Sequence, residues 1–126
     1  MAEPEAENTF LTSFFDGFEE SRMLFDFLHP VITAMGDSEM MVRKTQIAFR
    51  RKRGFAWVWI PEKHLGRKAA PLVLSLAFPG RDPSPRWKEI IEPARGRFMH
   101  HLEIASPAEI DEAVKAWLRA AYDWAG

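Results

Sequence analysis

The stretch Lys44-Thr45-Gln46-Ile47-Ala48-Phe49-Arg50-Arg51-Lys52-Arg53-Gly54-Phe55-Ala56-Trp57-Val58-Trp59 reads as two β-strands joined by a tight basic turn, and its pairing register decides which side chains the fold buries. Side chains alternate across a sheet, so a shift of one residue exchanges the two faces. A three-residue turn, Lys52-Arg53-Gly54, with the glycine left-handed, sets Phe49 opposite Trp57 and Ile47 opposite Trp59, and makes the tryptophans core. A four-residue turn from Arg51 to Gly54 instead sets Arg50 opposite Phe55, Ala48 opposite Trp57 and Gln46 opposite Trp59. Ile47, Phe49, Val58 and Ile60 then face the core, and both indoles lie with Lys44, Gln46 and Arg50 on a polar-aromatic platform. Such a platform suits stacking on nucleobases or another planar anionic ligand, at ~1–3 kcal/mol per stacked base. The plainer reading is that strand aromatics are core and that a cationic tip is a solvated turn which discourages edge-to-edge pairing.

Working outward, β patterning begins at Glu39, with Met41, Val42, Ile47 and Phe49 on one strand, and continues through Phe55 to Ile60 and Leu72 to Phe78, each bounded by Gly or Pro. Residues 79–85 are turn-rich. Trp87 to Ile91 fits a helical turn or a short strand equally well, and Arg97 to Ile104 reads as a fourth strand after a turn at 94–96. Upstream, Leu24, Phe27, Leu28, Val31 and Met35 recur at helical spacing within Thr12 to Met35, and Gly36 is placed to end the helix. Gly17 separates a first turn near Thr9 to Phe15. Pro30 predicts a kink or two short helices, because it cannot donate to the carbonyl four residues back. Downstream, Ser106, Pro107 and Glu109 form a capping box, and Ile110, Val114, Trp117, Leu118, Ala121 and Tyr122 share one helical face. The expected fold is one α+β domain over residues 9–126, after an unstructured acidic segment at 1–8. In it a four-stranded antiparallel sheet carries the N-terminal helical segment and the C-terminal amphipathic helix on one face.

At 126 residues the chain suits a single core, burying roughly two thirds of the surface that the unfolded chain exposes. The absence of cysteine rules out disulfides, thiolate catalysis and cysteine-based zinc sites, and fits a cytoplasmic protein. The acidic start lacks the regions of a secretory signal. The longest apolar runs fall far short of the ~20 residues that span a bilayer, so no membrane partner is expected. The net charge of −1 conceals a strong polarity. Between Arg43 and Lys68 nine Lys and Arg stand against the single acid Glu62, while residues 1–39 carry nine acids against Arg22 alone.

No residue set forms a catalytic or metal signature, and no cofactor is implied. His100 and His101 are adjacent on a strand and point to opposite faces, so they do not share a metal. One belongs with Phe98, Leu102 and Ile104, the other with Met99 and Glu103. Acid–base work by either would need a second group within reach, with Asp82, Glu89 and Glu103 as candidates. His29 and His64 are isolated and read as surface residues. Ser84, between two prolines, has neither hydrolase-elbow nor phosphate-loop context. The loop Asp82-Pro83-Ser84-Pro85-Arg86-Trp87-Lys88 either lines a cleft or locks the chain.

Three functions follow. In the first, a non-enzymatic binding module contacts the phosphates of nucleic acid, or another anionic ligand, through Arg43, Lys44, Arg50, Arg51, Lys52 and Arg53, with steep salt dependence. In the second, the basic hairpin of one copy meets the acidic N-terminal part of another in a homodimer, or meets a neighbouring module. The third is a small-ligand or enzymatic pocket built from Gln46, Trp57, Trp59, Trp87 and either His100 or His101.

Read in order, KTQIAFRR (Lys44 to Arg51), GFAWVW (Gly54 to Trp59), PLVLSL (Pro71 to Leu76), DPSPRWKEI (Asp82 to Ile90) and HHLEI (His100 to Ile104), ahead of the helix with Trp117 and Tyr122, resemble an uncharacterised prokaryotic domain family, domain of unknown function 5655. The resemblance runs from about Thr12 to Ala125. It implies an α+β domain, found alone or joined to other modules, some of them nuclease-like. It implies no established activity and supplies no site residues. His29-Pro30 departs from it, interrupting a helix expected to continue in typical members.

Overall fold

Ten main elements follow one another in the computed structural model, which describes residues 4–65 and 69–126. They are α1 (Pro4–Phe14), α2 (Glu19–Thr33), β1 (Glu39–Val42), β2 (Ile47–Arg50), β3 (Gly54–Trp59), α3 (Pro61–Leu65), β4 (Leu72–Phe78), β5 (Glu89–Ala94), β6 (Arg97–Ile104) and α4 (Glu112–Trp124). The strands form one antiparallel sheet in the order β1-β2-β3-β4-β6-β5. The α+β class is as expected, but the sheet has six strands, not four. One expected strand is a hairpin, because residues 43–46 turn back and the Arg43 N–H donates to the Gln46 carbonyl at 2.8 Å. No Gly or Pro marks that turn, which left it without a local signal. The undecided segment after Trp87 is β5, an edge strand that tolerates Pro93 because its pairing with β6 is irregular between Ile91 and Ala94.

The unstructured start expected at 1–8 falls partly outside the described residues, and from Pro4 onward the backbone lies in α1. Between α1 and α2 the chain turns at Gly17, whose φ is +81°. Pro30 does not divide α2, because it sits in the last full turn, where only one carbonyl loses its donor. The capping box heads a short 3-10 turn, Pro107–Glu109, rather than the long helix. Asp111 is the cap of α4: its carboxylate accepts the Val114 N–H at 3.1 Å, and both its oxygens accept from Arg86 Nη1, at 3.0 and 2.9 Å. That guanidinium holds the Asp111 carboxyl below its usual range, with the Val114 N–H adding to the effect.

All the long helices leave their apolar side on one face of the sheet. Leu24, Phe25, Leu28 and Ile32 of α2 and Val114, Leu118, Ala121 and Tyr122 of α4 join a single cluster with Ile47, Phe49, Val58, Leu72, Leu74, Leu76, Leu102 and Ile104. The hairpin joining β2 and β3 takes the register expected for the four-residue turn, except at its tip. Ala48 pairs with Trp57 and Ile47 with Val58, but a bulge sets Arg50 against Gly54 and leaves Phe55 unpaired. A bulge puts neighbouring side chains on the same side, so Phe55 and Ala56 are both buried, Phe55 edge-on to Tyr122. Gly54 does not take a left-handed conformation. It is glycine for another reason, since a Cβ there would lie 2.6 Å from the Trp57 ring.

Gly36, with φ +141°, lets the Tyr122 hydroxyl pass and donate to the Asp37 carbonyl at 3.0 Å, tying α4 to the end of α2. Among the described residues no helix is long and apolar enough to cross a membrane.

Candidate functional site

Strand alternation leaves a second set of side chains on the face that α2 and α4 do not cover. One row crosses the sheet in register: Met41, Ala48, Trp57, Ser75, His101, Glu89. On this face β4 carries only small side chains, Val73, Ser75 and Ala77, whereas β3 beside it carries Trp57 and Trp59 and β6 carries Arg97, Met99 and His101. Small residues on a central strand between large ones on both neighbours make a trough. The result is a pocket of about 390 Å³, walled by Trp57, Trp59, Met99 and His101, with Ser75 in its lining and Thr45, Gln46, Pro93 and Arg97 completing it. Its size lies within the ~300–1,000 Å³ typical of small-molecule sites.

The polar groups of the pocket are tightly arranged. Trp59 Nε1–H donates to Ser75 Oγ at 3.0 Å, and the same oxygen lies 2.6 Å from His101 Nδ1. Burial pushes the His101 pKa down, while Glu89 across the strand pair pulls it partly back. The Arg97 guanidinium lies over the Trp57 ring, 5.3 Å from its centroid. Among the described residues it has neither an ion-pair nor a hydrogen-bond partner. No carboxylate lines the pocket. Ser75 and His101 are within hydrogen-bond reach, yet they do not form an acyl-transfer site. Ser75 is mid-strand between β3 and β6, so its backbone is spent on the sheet and no N–H is free for an oxyanion. Among the described residues no three His, Asp or Glu side chains cluster to hold a metal. The arrangement can bind and orient a ligand.

The family described as Domain of unknown function (DUF5655) matches residues 11–125. The chain belongs to the DUF5655 family. No curated protein and no solved structure matches it. In this DUF5655 domain the residues expected as a ligand platform divide between the two faces. Gln46, Trp57, Trp59 and His101 meet in the pocket. Trp87 and His100 do not, because alternation sends His100 to the helix side, where it is fully buried with Trp87 edge-on to it at 4.9 Å and Trp117 beyond, 4.3 Å from Trp87. His100 accepts the Asp82 N–H at Nε2 (2.9 Å) and donates from Nδ1 to the Phe98 carbonyl (3.1 Å). Asp82 in turn accepts from Trp87 Nε1 at 2.9 Å and from the Ser84 N–H at 3.1 Å. Residues 82–88 therefore lock the chain over the core. Burial lowers the pKa of His100, and the Asp82 N–H donated to Nε2 requires the neutral ring.

The six cations proposed as one anion-binding set form two groups at opposite ends of β2, whose four residues span ~13 Å. Arg43 and Lys44 sit at the β1–β2 turn beside a second hollow with Phe10, Phe14, Val42 and Lys63. Lys63 caps α1, its ammonium donating to the Phe14 carbonyl and lying over the Phe14 ring. At the other end, Arg51 donates to the Tyr122 carbonyl at 2.9 Å and stacks on Tyr122, while Arg53 covers Trp124. The N–H groups of Lys52 and Arg53 donate to the Ala125 carbonyl. The tip thus closes the C-terminal end of α4, where helix carbonyls favour positive charge. Arg50 donates to the Lys52 carbonyl. Among the described residues no ion pair joins the acidic 1–39 segment to this basic one. His64, expected at the surface, lies in a stretch whose side chains are outside the description.

Sequence reasoning missed Thr45, Ser75, Pro93, Arg97 and Met99. One signal was present: in Leu72-Val73-Leu74-Ser75-Leu76-Ala77-Phe78 large and small residues alternate, which marks a central strand with one filled face and one indented face.

Proposed function

We propose that this domain binds a small planar anion in the pocket on the open face of the sheet. The observation that carries the reading is Arg97, a half-buried guanidinium over the Trp57 ring with no protein partner among the described residues, in a pocket without an acid. A guanidinium left unpaired beside an aromatic wall is matched by a ring that bears a carboxylate or phosphate, which satisfies its planar fork of donors while the ring contacts indole. The apolar share of binding comes from Trp57, Trp59 and Met99.

This reading takes precedence over phosphate contact by the basic hairpin, because Arg51 and Arg53 are already stacked on α4. The test is a titration with quinoline-2-carboxylate and its neutral counterpart quinoline, followed by tryptophan fluorescence, alongside labelled single-stranded oligonucleotides. The expected result is saturable binding of the acid, weaker binding of quinoline, and a loss of about tenfold or more on Trp57→Ala or Arg97→Ala. Oligonucleotide binding that is lost on replacing Arg43 and Lys44, yet indifferent to Arg97→Ala, would move the function to the hairpin ends.

A further inference from the structure

The Trp59–Ser75–His101 chain carries information about the ligand beyond its charge. An indole nitrogen only donates, so one lone pair of Ser75 Oγ is committed to Trp59. The Ser75 hydroxyl hydrogen has a single acceptor among the described residues, His101 Nδ1 at 2.6 Å. Were Nδ1 protonated instead, it would donate to Ser75, and the hydroxyl hydrogen would be left without an acceptor in a residue only 2 % exposed. The arrangement that satisfies every hydrogen therefore runs from Trp59 N–H to Ser75 Oγ and from Ser75 O–H to Nδ1. A neutral imidazole with Nδ1 as acceptor carries its proton on Nε2. No described residue accepts that second N–H, and His101 lines the pocket. Glu89 faces His101 from the edge strand but does not line the pocket.

Resting on the pocket reading above, we infer that the ligand is a heteroaromatic acid with a second acceptor on its ring, an oxo group set away from the acid, which receives the His101 Nε2–H while the acid group pairs with Arg97. Both fixed polar groups of the pocket are donors, and they sit on one strand four residues apart, so they read two separate points on one ring system. Gln46 and Thr45, which can donate or accept, adapt to the remainder. Ligands that present N–H or NH₂ groups toward His101 are rejected, because two donors would face each other in a partly desolvated site.

The first test needs no ligand. Long-range proton–nitrogen NMR correlation of the imidazoles at neutral pH distinguishes the two neutral tautomers. An Nε2–H signal for His101 that converts to the other tautomer in Ser75→Ala is expected, and Nδ1–H in the unsubstituted protein would overturn the inference. The second compares quinoline-2-carboxylate with its 4-oxo derivative by calorimetry. The oxo acid should bind about five- to tenfold tighter, the worth of one neutral hydrogen bond. His101→Leu should erase that difference, and His101→Gln, which restores an N–H near Nε2, should recover it. Equal binding of the two acids, insensitive to His101, defeats the inference while leaving the pocket reading intact. Binding of neither acid, with Arg97→Ala silent, defeats both.

Discussion

The two faces of β4 differ in how they are filled. Toward α2 and α4 the strand presents Leu72, Leu74, Leu76 and Phe78, which join the helix side chains in one buried cluster. On the opposite face it presents Val73, Ser75 and Ala77, overshadowed by tryptophans on one neighbour and by Met99 and His101 on the other. Every residue of β4 is buried, but for different reasons. One face is buried by packing against helices, the other by walls rising from adjacent strands. The adjacent histidines follow the same division. His100 is saturated by Asp82 and Phe98 and serves the core, whereas His101 keeps one nitrogen toward the pocket.

The strongest test of this contrast is Leu74→Ala. It removes a fully buried side chain between the sheet and its helices, and should cost ~2–5 kcal/mol in urea unfolding, with the spread set by how far the cavity relaxes. A loss under ~1 kcal/mol would mean that the helix face is less tightly filled than described.

Acid should sharpen the difference between the histidines. Both have folded pKa values below the ordinary ~6.5, chiefly through burial, so folding is favoured by their neutral forms. That stability is fully present above the unfolded pKa and is lost as pH falls through it toward the folded values, because the unfolded chain takes up protons first. Unfolding free energy measured from pH 7.5 to 5 should therefore decline, and His100→Gln should reduce the slope. A flat profile would contradict the buried, neutral His100.

The smallest stability effect belongs to the residue with the largest expected effect on binding. Arg97→Ala should change unfolding free energy by no more than ~0.5 kcal/mol, since its side chain holds no partner in the described structure beyond the Trp57 face. A substantial loss of stability would make Arg97 a structural brace and remove it from the pocket argument.

Much of the fold was legible in the chain. The period of three and four in α2 and α4, the alternation in β4 and β6, and the tryptophan-edged hairpin all announce themselves locally. What misled was also local: a capping box strong enough to suggest the start of α4 five residues before Asp111 took that role, and a hairpin turn at 43–46 with no glycine. For the site, alternation alone placed His100 and His101 on opposite faces and offered Gln46 with Trp57 and Trp59 as one of two registers. It could not decide between those registers, because a single bulged residue, Phe55, changes the parity.

By itself, then, the sequence determined the types of its longest elements, the polarity of its charge and the pairing of large with small residues along β4, since each of these depends on neighbours within a turn or a strand. Only the tertiary structure decided that Arg51 and Arg53 are taken up by the end of α4, and that Arg97 curls over Trp57 with no partner among the described residues. The physical reason is that a pocket is made of side chains from strands far apart in the chain. Whether a cation is free or already neutralised depends on what the fold brings beside it, and periodicity along the sequence carries no record of that.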